Sequence, residues 1–419
     1  MASAVLSATP TQDVVYAPPV RQRIDSIDLL RGLVMVIMML DHTRDYISSA
    51  AYHYDPTDLA KTTMAVFLTR WITHYCAPTF FFLAGTGAFL RRQRGATAAD
   101  MSRFLVSRGI WLIVLELTVV RIGVTFNLHF GDYNFGQTIW ALGWSMIVLA
   151  ALVHLPLWFT GGFGVAMVAV HNAFDAIKAP NWTPGMPDLS LGQKLILVLH
   201  QQGIFPVGGP KGAPFLTFYP LVPWIGVMAA GYAFGALYAM DAPVRRRWLL
   251  RMGVGLIALF VVLRATNLYG DSSKWSAQKS GAFTVLSFLN VTKYPPSLLY
   301  LCMTLGPAIL FLAAAERERR GWLGRVLVTF GRVPMLFYLL QWYVAHLMAL
   351  GLFLLAGQTT EGLFINVIQP FSADVQAHSG FSLPVVYLCW LLGVVLIYPL
   401  CKRYAELKRR RNDWWLSYV

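Results

Sequence analysis

Along the 419 residues, apolar positions gather into long runs separated by short polar segments, where surface helices or half-buried strands would alternate apolar and polar positions. Ten runs have about the length needed to cross some 30 Å of hydrocarbon as helices. They cover 27–47, 64–90, 104–126, 138–159, 161–177, 217–240, 249–268, 295–314, 326–356 and 383–401. Only Thr160 joins the fourth and fifth, with glycines beside it, so a re-entrant pair is open there as well as two spans. The pattern predicts an all-α, polytopic membrane helix bundle of about ten transmembrane helices. It fills residues 23–404, after a disordered tail at 1–22 and before a basic tail at 405–419.

Composition agrees. The chain is 57% hydrophobic and 13% charged, whereas soluble domains carry about 25% charged residues. Its formal charge of +14, from 34 Lys and Arg against 20 Asp and Glu, is unevenly placed along the chain. With the N-terminus in the cytoplasm, 21 of the 34 basic residues sit on that side and eight on the other, so both termini are expected to be cytoplasmic. The basic residues form short clusters with no interleaved aromatics, which argues against nucleic acid as a partner. Cys76, Cys302, Cys389 and Cys401 have no metal or redox spacing, and no metal site is expected. The longer outer segments, 178–216, 269–294 and 357–382, are long enough to cap a cavity.

The five remaining basic residues, Arg31, Arg70, Arg121, Arg264 and Arg332, fall within or at the edge of spans. A charge at that depth is costly and marks a site or a partner. Arg31 and His42, eleven residues apart, share one face of the first span at different depths. Asp45, three residues beyond His42, is expected to hold the imidazole and stabilise its protonated form. Asp41 and Arg44 fit an interfacial cap, and Arg44 in particular a side chain snorkelling to water. Arg70 and His74 lie four apart in the second span, with His74 at a depth similar to His42. Glu116 and Arg121 are expected to pair inside the third. Asn127, His129, His171, Asn172 and Asp175, with His346, are of the types that bind hydroxyl and amide groups.

The stretch SIDLLRGLVMVIMMLDHTRDY, from Ser26 to Tyr46, resembles the start of the catalytic domain of heparan-alpha-glucosaminide N-acetyltransferase and its bacterial relatives. Its Arg, ten residues, His arrangement is similar to the signature of the wider acyltransferase type 3 proteins. The resemblance continues through RWITHYCAPTFFFLAG, FYPLVPWIGVMAAGYAFG, VTKYPPSLLYLCMTLGPAIL and FGRVPMLFYLLQWYVAHL. It implies transfer of an acetyl or other short acyl group from cytoplasmic acyl-CoA to a hydroxyl or amine of an extracytoplasmic glycan or amino sugar. His42 would be the base or transient acyl acceptor, while His53 and His74 are also candidates for the family's catalytic histidine. Arg31, with Arg70 and Arg332, would orient acyl-CoA, and Asn127, His171, Asn172, Asp175 and His346 would meet the acceptor. Membrane lipids are expected partners, and a homo-oligomer is open. A transporter of a glycan, lipid or small anion, or a non-catalytic membrane scaffold, are the alternatives, although no internal repeat marks a transporter.

Overall fold

The computed structural model describes residues 24–316, 321–364, 371–411 and 413–418. The tail expected at 1–22 lies outside them, as do Arg21, Arg23, Arg317, Arg319 and Arg320 of the basic clusters. The fold is 70% helical. Among the described residues, six helical stretches are long and apolar enough to cross a membrane: Leu157–Phe174, Leu221–Ala239, Ala242–Thr266, Leu298–Ala315, Pro334–Leu355 and Leu383–Arg410.

Helix α1 (Asp25–Ile47) is followed by the short α2 (Ser49–His53). The run expected as one span at 64–90 is two helices, α3 (Met64–Thr73) and α4 (Cys76–Gln93), broken at His74 and Tyr75. Pro78 explains the break, because its ring would clash with the carbonyl four residues back, that of His74. That freed carbonyl accepts the Tyr300 hydroxyl at 2.8 Å. Thr97 and Asp100 form a capping box that opens α5 (Ala98–Leu115), which passes through a π turn (Glu116–Val120) into α6 (Arg121–Thr125).

Next come α7 (Thr138–Leu152), α8 (Leu157–Val170) and α9 (Leu191–Leu199). The fold is not wholly helical as expected, since β1 (Asn134–Gly136), β2 (Gly203–Val207) and β3 (Ala213–Thr217) form a sheet in the order β1-β3-β2. β3 runs parallel to β1 and antiparallel to β2. Gly208 and Gly209, with φ of 85° and 104°, make the β2–β3 turn in a region closed to most side chains.

α10 (Leu221–Phe234), α11 (Ala242–Thr266), α12 (Gly281–Leu289) and α13 (Leu298–Ala315) follow. The expected 326–356 span is also divided, into α14 (Trp322–Arg332) and α15 (Pro334–Leu355). Val333, before Pro334, leaves helical geometry with ψ of 50°. α16 (Ala373–His378) and α17 (Leu383–Arg410) complete the helices, α17 extending into the basic tail.

α1 is the central element, packed against α3, α4, α13, α14, α15 and α17. Its approach to α14 requires glycine. A Cβ on Gly32 would fall 1.8 Å from the Leu327 carbonyl oxygen, and one on Gly331 would fall 1.8 Å from that of Asp28. At the other end of α1, the long connections meet. Ser48 bridges to Phe381, Asn290 donates to the Thr57 carbonyl, and Leu298 N–H donates to Asn172 Oδ1.

Candidate active site

The last three turns of α1 carry most of the site. Asp41 is buried and gathers cations from two helices. Its two oxygens accept from Arg70 Nη1 on α3 at 2.7 and 2.6 Å, Thr73 Oγ1 donates at 2.9 Å, and Arg44 Nη2 lies 2.9 Å away. Arg44 also pairs with Asp45. The expected snorkelling of Arg44 is therefore wrong. Its side chain is 3% exposed, because two carboxylates neutralise it inside the protein.

His42 turns the other way, into the contact with α15. Its ring lies flat on Trp342, with centroids 3.5 Å apart and planes at 18°. Its Nδ1 is buried without a hydrogen-bond partner among the described residues. Asp45 does not hold this imidazole as expected. Its carboxylate pairs with Arg44 and is half exposed, while His42 is buried. His74, at the break between α3 and α4, is 5.4 Å from the Tyr300 ring, and its Nδ1 is likewise buried without a partner among the described residues.

A cavity of about 360 Å³ opens beside this cluster, lined by Arg44, Asp45, Ala51, Tyr52, Tyr54, Asp55, Pro56 and Arg70. Sequence reading missed Tyr52, Tyr54 and Asp55, which sit in the connection after α1 and have no periodicity to betray them. Asp41 did have a signal, its place next to His42 within an apolar run. His53 is exposed and bonds the Ser49 carbonyl through Nδ1 at 2.8 Å, and it does not line the cavity.

The other expected site residues fall in separate places. Arg31 bonds Asp28 at 3.0 Å and the Gly331 carbonyl at 3.2 Å, and Arg332 reaches Asp25 and Asp28 at 3.6 and 4.0 Å. These two form one group at the start of α1. Arg70 belongs to Asp41, thirteen residues and about 20 Å further along the helix. Glu116 and Arg121 do not pair with each other among the described residues. Glu116 Oε2 accepts from the Ile139 and Trp140 backbone N–H groups at 2.9 and 3.2 Å, satisfying donors at the start of α7. Arg121 donates to the carbonyls of Tyr133, Asn127 and His129.

None of the five residues expected to meet an acceptor lines the 360 Å³ cavity. Asn127 is held in its own loop by Asp132 and Arg121. Asn172 donates to Asp175, which accepts from His200 Nε2 at 3.0 Å, and the His171 ring stands edge-on to His200. His346 bonds the Gly123 carbonyl at 3.1 Å between the Phe126 and Tyr46 rings. It is a helix-to-helix tie.

A mostly helical membrane protein with titratable groups buried around a polar cavity belongs to the class that does chemistry, or moves solute, inside the bilayer. Residues 23–268, more than half of the chain, match the family model of heparan-alpha-glucosaminide N-acetyltransferase, catalytic, and the chain belongs to that family. Its activity is accordingly of the membrane acyltransferase kind. The match covers Arg31, Asp41, His42, Arg70, His74 and the whole cavity lining, and stops before Trp342. No curated protein matches the chain.

Proposed function

We propose that this protein is an inner-membrane acetyltransferase that takes an acetyl or similar short acyl group from cytoplasmic acyl-CoA and delivers it to an amine or hydroxyl of an extracytoplasmic sugar. The reading includes ten crossings with both termini in the cytoplasm, so that the start of α1 faces the donor and its end faces the acceptor. One observation carries it. His42, whose Nδ1 has no hydrogen-bond partner among the described residues, sits one residue from Asp41, whose two bound arginines line the 360 Å³ cavity.

In this reading the acceptor enters through that cavity and passes Asp41 to reach His42, which does not itself line the cavity, and Arg31 and Arg332 orient the donor from the opposite end. His42 removes the proton as the acceptor nitrogen or oxygen attacks the thioester carbonyl. Negative charge develops on the carbonyl oxygen, where Arg70 or His74 supplies the donor. Collapse breaks the carbon–sulfur bond, and the proton on His42 passes to the departing thiolate. The Trp342 face keeps the imidazole in one plane, and the ion pairs on Asp41 keep Arg70 from swinging away.

The test is release of free CoA thiol by purified protein in lipid nanodiscs, supplied with acetyl-CoA and glucosamine or short amino-sugar glycans. Acceptor-dependent release that His42→Ala abolishes supports the reading. Absence of release with every amine and hydroxyl sugar tried, from protein that is folded, overturns it.

A further inference from the structure

Beyond the candidate active site, the outer part of the fold carries an apolar surface that the proposed chemistry does not use. α9 is held on one side by a small core of Ala179, Trp182, Leu189 and Leu197. Its opposite side bears a stripe spaced four residues apart, Leu191, Leu195 and Leu199, exposed by 74%, 46% and 38%. A water-facing helix of nine residues would not keep three leucines in register on its outer face without something apolar to cover them.

The stripe is continuous with a lipid-facing surface. Phe174 ends the membrane-crossing stretch Leu157–Phe174, of which only 22% is buried inside the protein. Phe174 and Ile177, each 51% exposed, then form one wall of an apolar cavity of about 210 Å³ whose other wall is Leu195, Ile196, Leu199 and His200 of α9 and its end. The polar boundary of this surface is equally defined. His200 turns to Asp175, which is tied through Asn172 to the start of α13, and Lys194 pairs with Asp188.

We infer that α9 is an in-plane amphipathic helix, set into the membrane surface at the end of α8, with lipid acyl chains lying along Leu191, Leu195 and Leu199 and entering the cavity beside Phe174. The occupant is the bilayer itself, because one wall of the cavity is the tip of a helix already facing lipid. The 178–216 segment is thus anchored to the membrane surface through α9.

Single cysteines at Leu191, Leu195 and Lys211, in a Cys389→Ser background, would be labelled with an environment-sensitive fluorophore after reconstitution of the full chain in nanodiscs. Lys211, exposed near the β2–β3 turn, is the control. The expected result is loss of fluorescence at positions 191 and 195 with brominated phosphatidylcholine but not with aqueous iodide, and the reverse at 211. Iodide quenching at 191 and 195 equal to that at 211 overturns the inference. Protection at both positions from iodide and from brominated lipid also overturns it, since a second copy of the chain would then cover the stripe. Both labelled leucines point outward, and a monodisperse chromatographic profile of each variant separates misfolding from either outcome.

Discussion

The His42 imidazole and the Trp342 indole are stacked at 3.5 Å, and one turn further on Tyr46 and His346 stack at 4.6 Å. Both helices advance four residues between the two contacts, so α1 and α15 run side by side in register through the candidate site. The aromatic surface therefore sets the plane of the imidazole, and Nδ1 has no hydrogen-bond partner among the described residues. His42→Ala is expected to reduce acceptor-dependent CoA release by about 10²–10⁴-fold, the usual contribution of a general base. Trp342→Phe, which keeps a ring face, should retain most of that activity, whereas Trp342→Ala should destabilise the protein by about 3–5 kcal/mol through cavity formation. Thiol release measured with thermal unfolding of the same samples distinguishes lost chemistry from lost fold.

Asp41 and Asp45 make opposite predictions for one substitution. Asp41→Asn leaves Arg44 and Arg70 buried with too little negative charge, and breaking a buried pair of this kind costs about 3–5 kcal/mol. Asp45→Asn removes a half-exposed partner of Arg44 and should cost about 1 kcal/mol or less. Activity should follow the same order, with Asp45→Asn close to the parent. Equal and severe loss of activity in folded Asp45→Asn protein would restore Asp45 as the partner of His42.

Arg264 organises a loop through the backbone. It is 1% exposed and donates to four carbonyls, those of Phe288, Ser273, Ser287 and Asn290. A lysine has three donors on a single nitrogen and cannot reach four oxygens in this fork geometry. Arg264→Lys should therefore loosen residues 269–294, and proteolysis within that segment should become faster. Unchanged cleavage rates would mean that Trp275 and Asp271, which also tie the loop, hold it alone.

The contact of α1 with α14 depends on two hydrogen atoms. Gly331→Ala would put a methyl carbon 1.8 Å from the Asp28 carbonyl oxygen, and a backbone cannot yield by that much without the helices moving apart. The expected outcome is loss of monodisperse protein in fluorescence-detected size-exclusion chromatography. By contrast, Gly87→Ala and Gly255→Ala, where the new carbon meets nothing within 4 Å, should behave as the parent.

Much of this protein could be read in one dimension. Long apolar runs specify helices in lipid because every backbone group must be satisfied within its own segment. Rare charges inside those runs mark the expensive positions, and Arg70 does find a buried partner, Asp41. The breaks at His74 and Val333, which length and hydropathy pass over in reading single spans at 64–90 and 326–356, have a local steric cause in Pro78 and Pro334.

The partners were another matter. Helical spacing shows which residues share a face, which pairs Asp45 with His42, and the cost of burying two charges in one span pairs Glu116 with Arg121. The folded chain gives Asp45 to Arg44, Glu116 to the start of α7, and Asp41 to Arg70 from a helix 29 residues away. Trp342 reaches His42 from farther still, and Tyr52, Tyr54 and Asp55 enter the cavity from a connection without periodicity. Sequence by itself determined where charge must be buried, because the cost of burial is local. Only the tertiary structure decided what neutralises each charge, because those partners come from other helices whose packing brings them within hydrogen-bond reach.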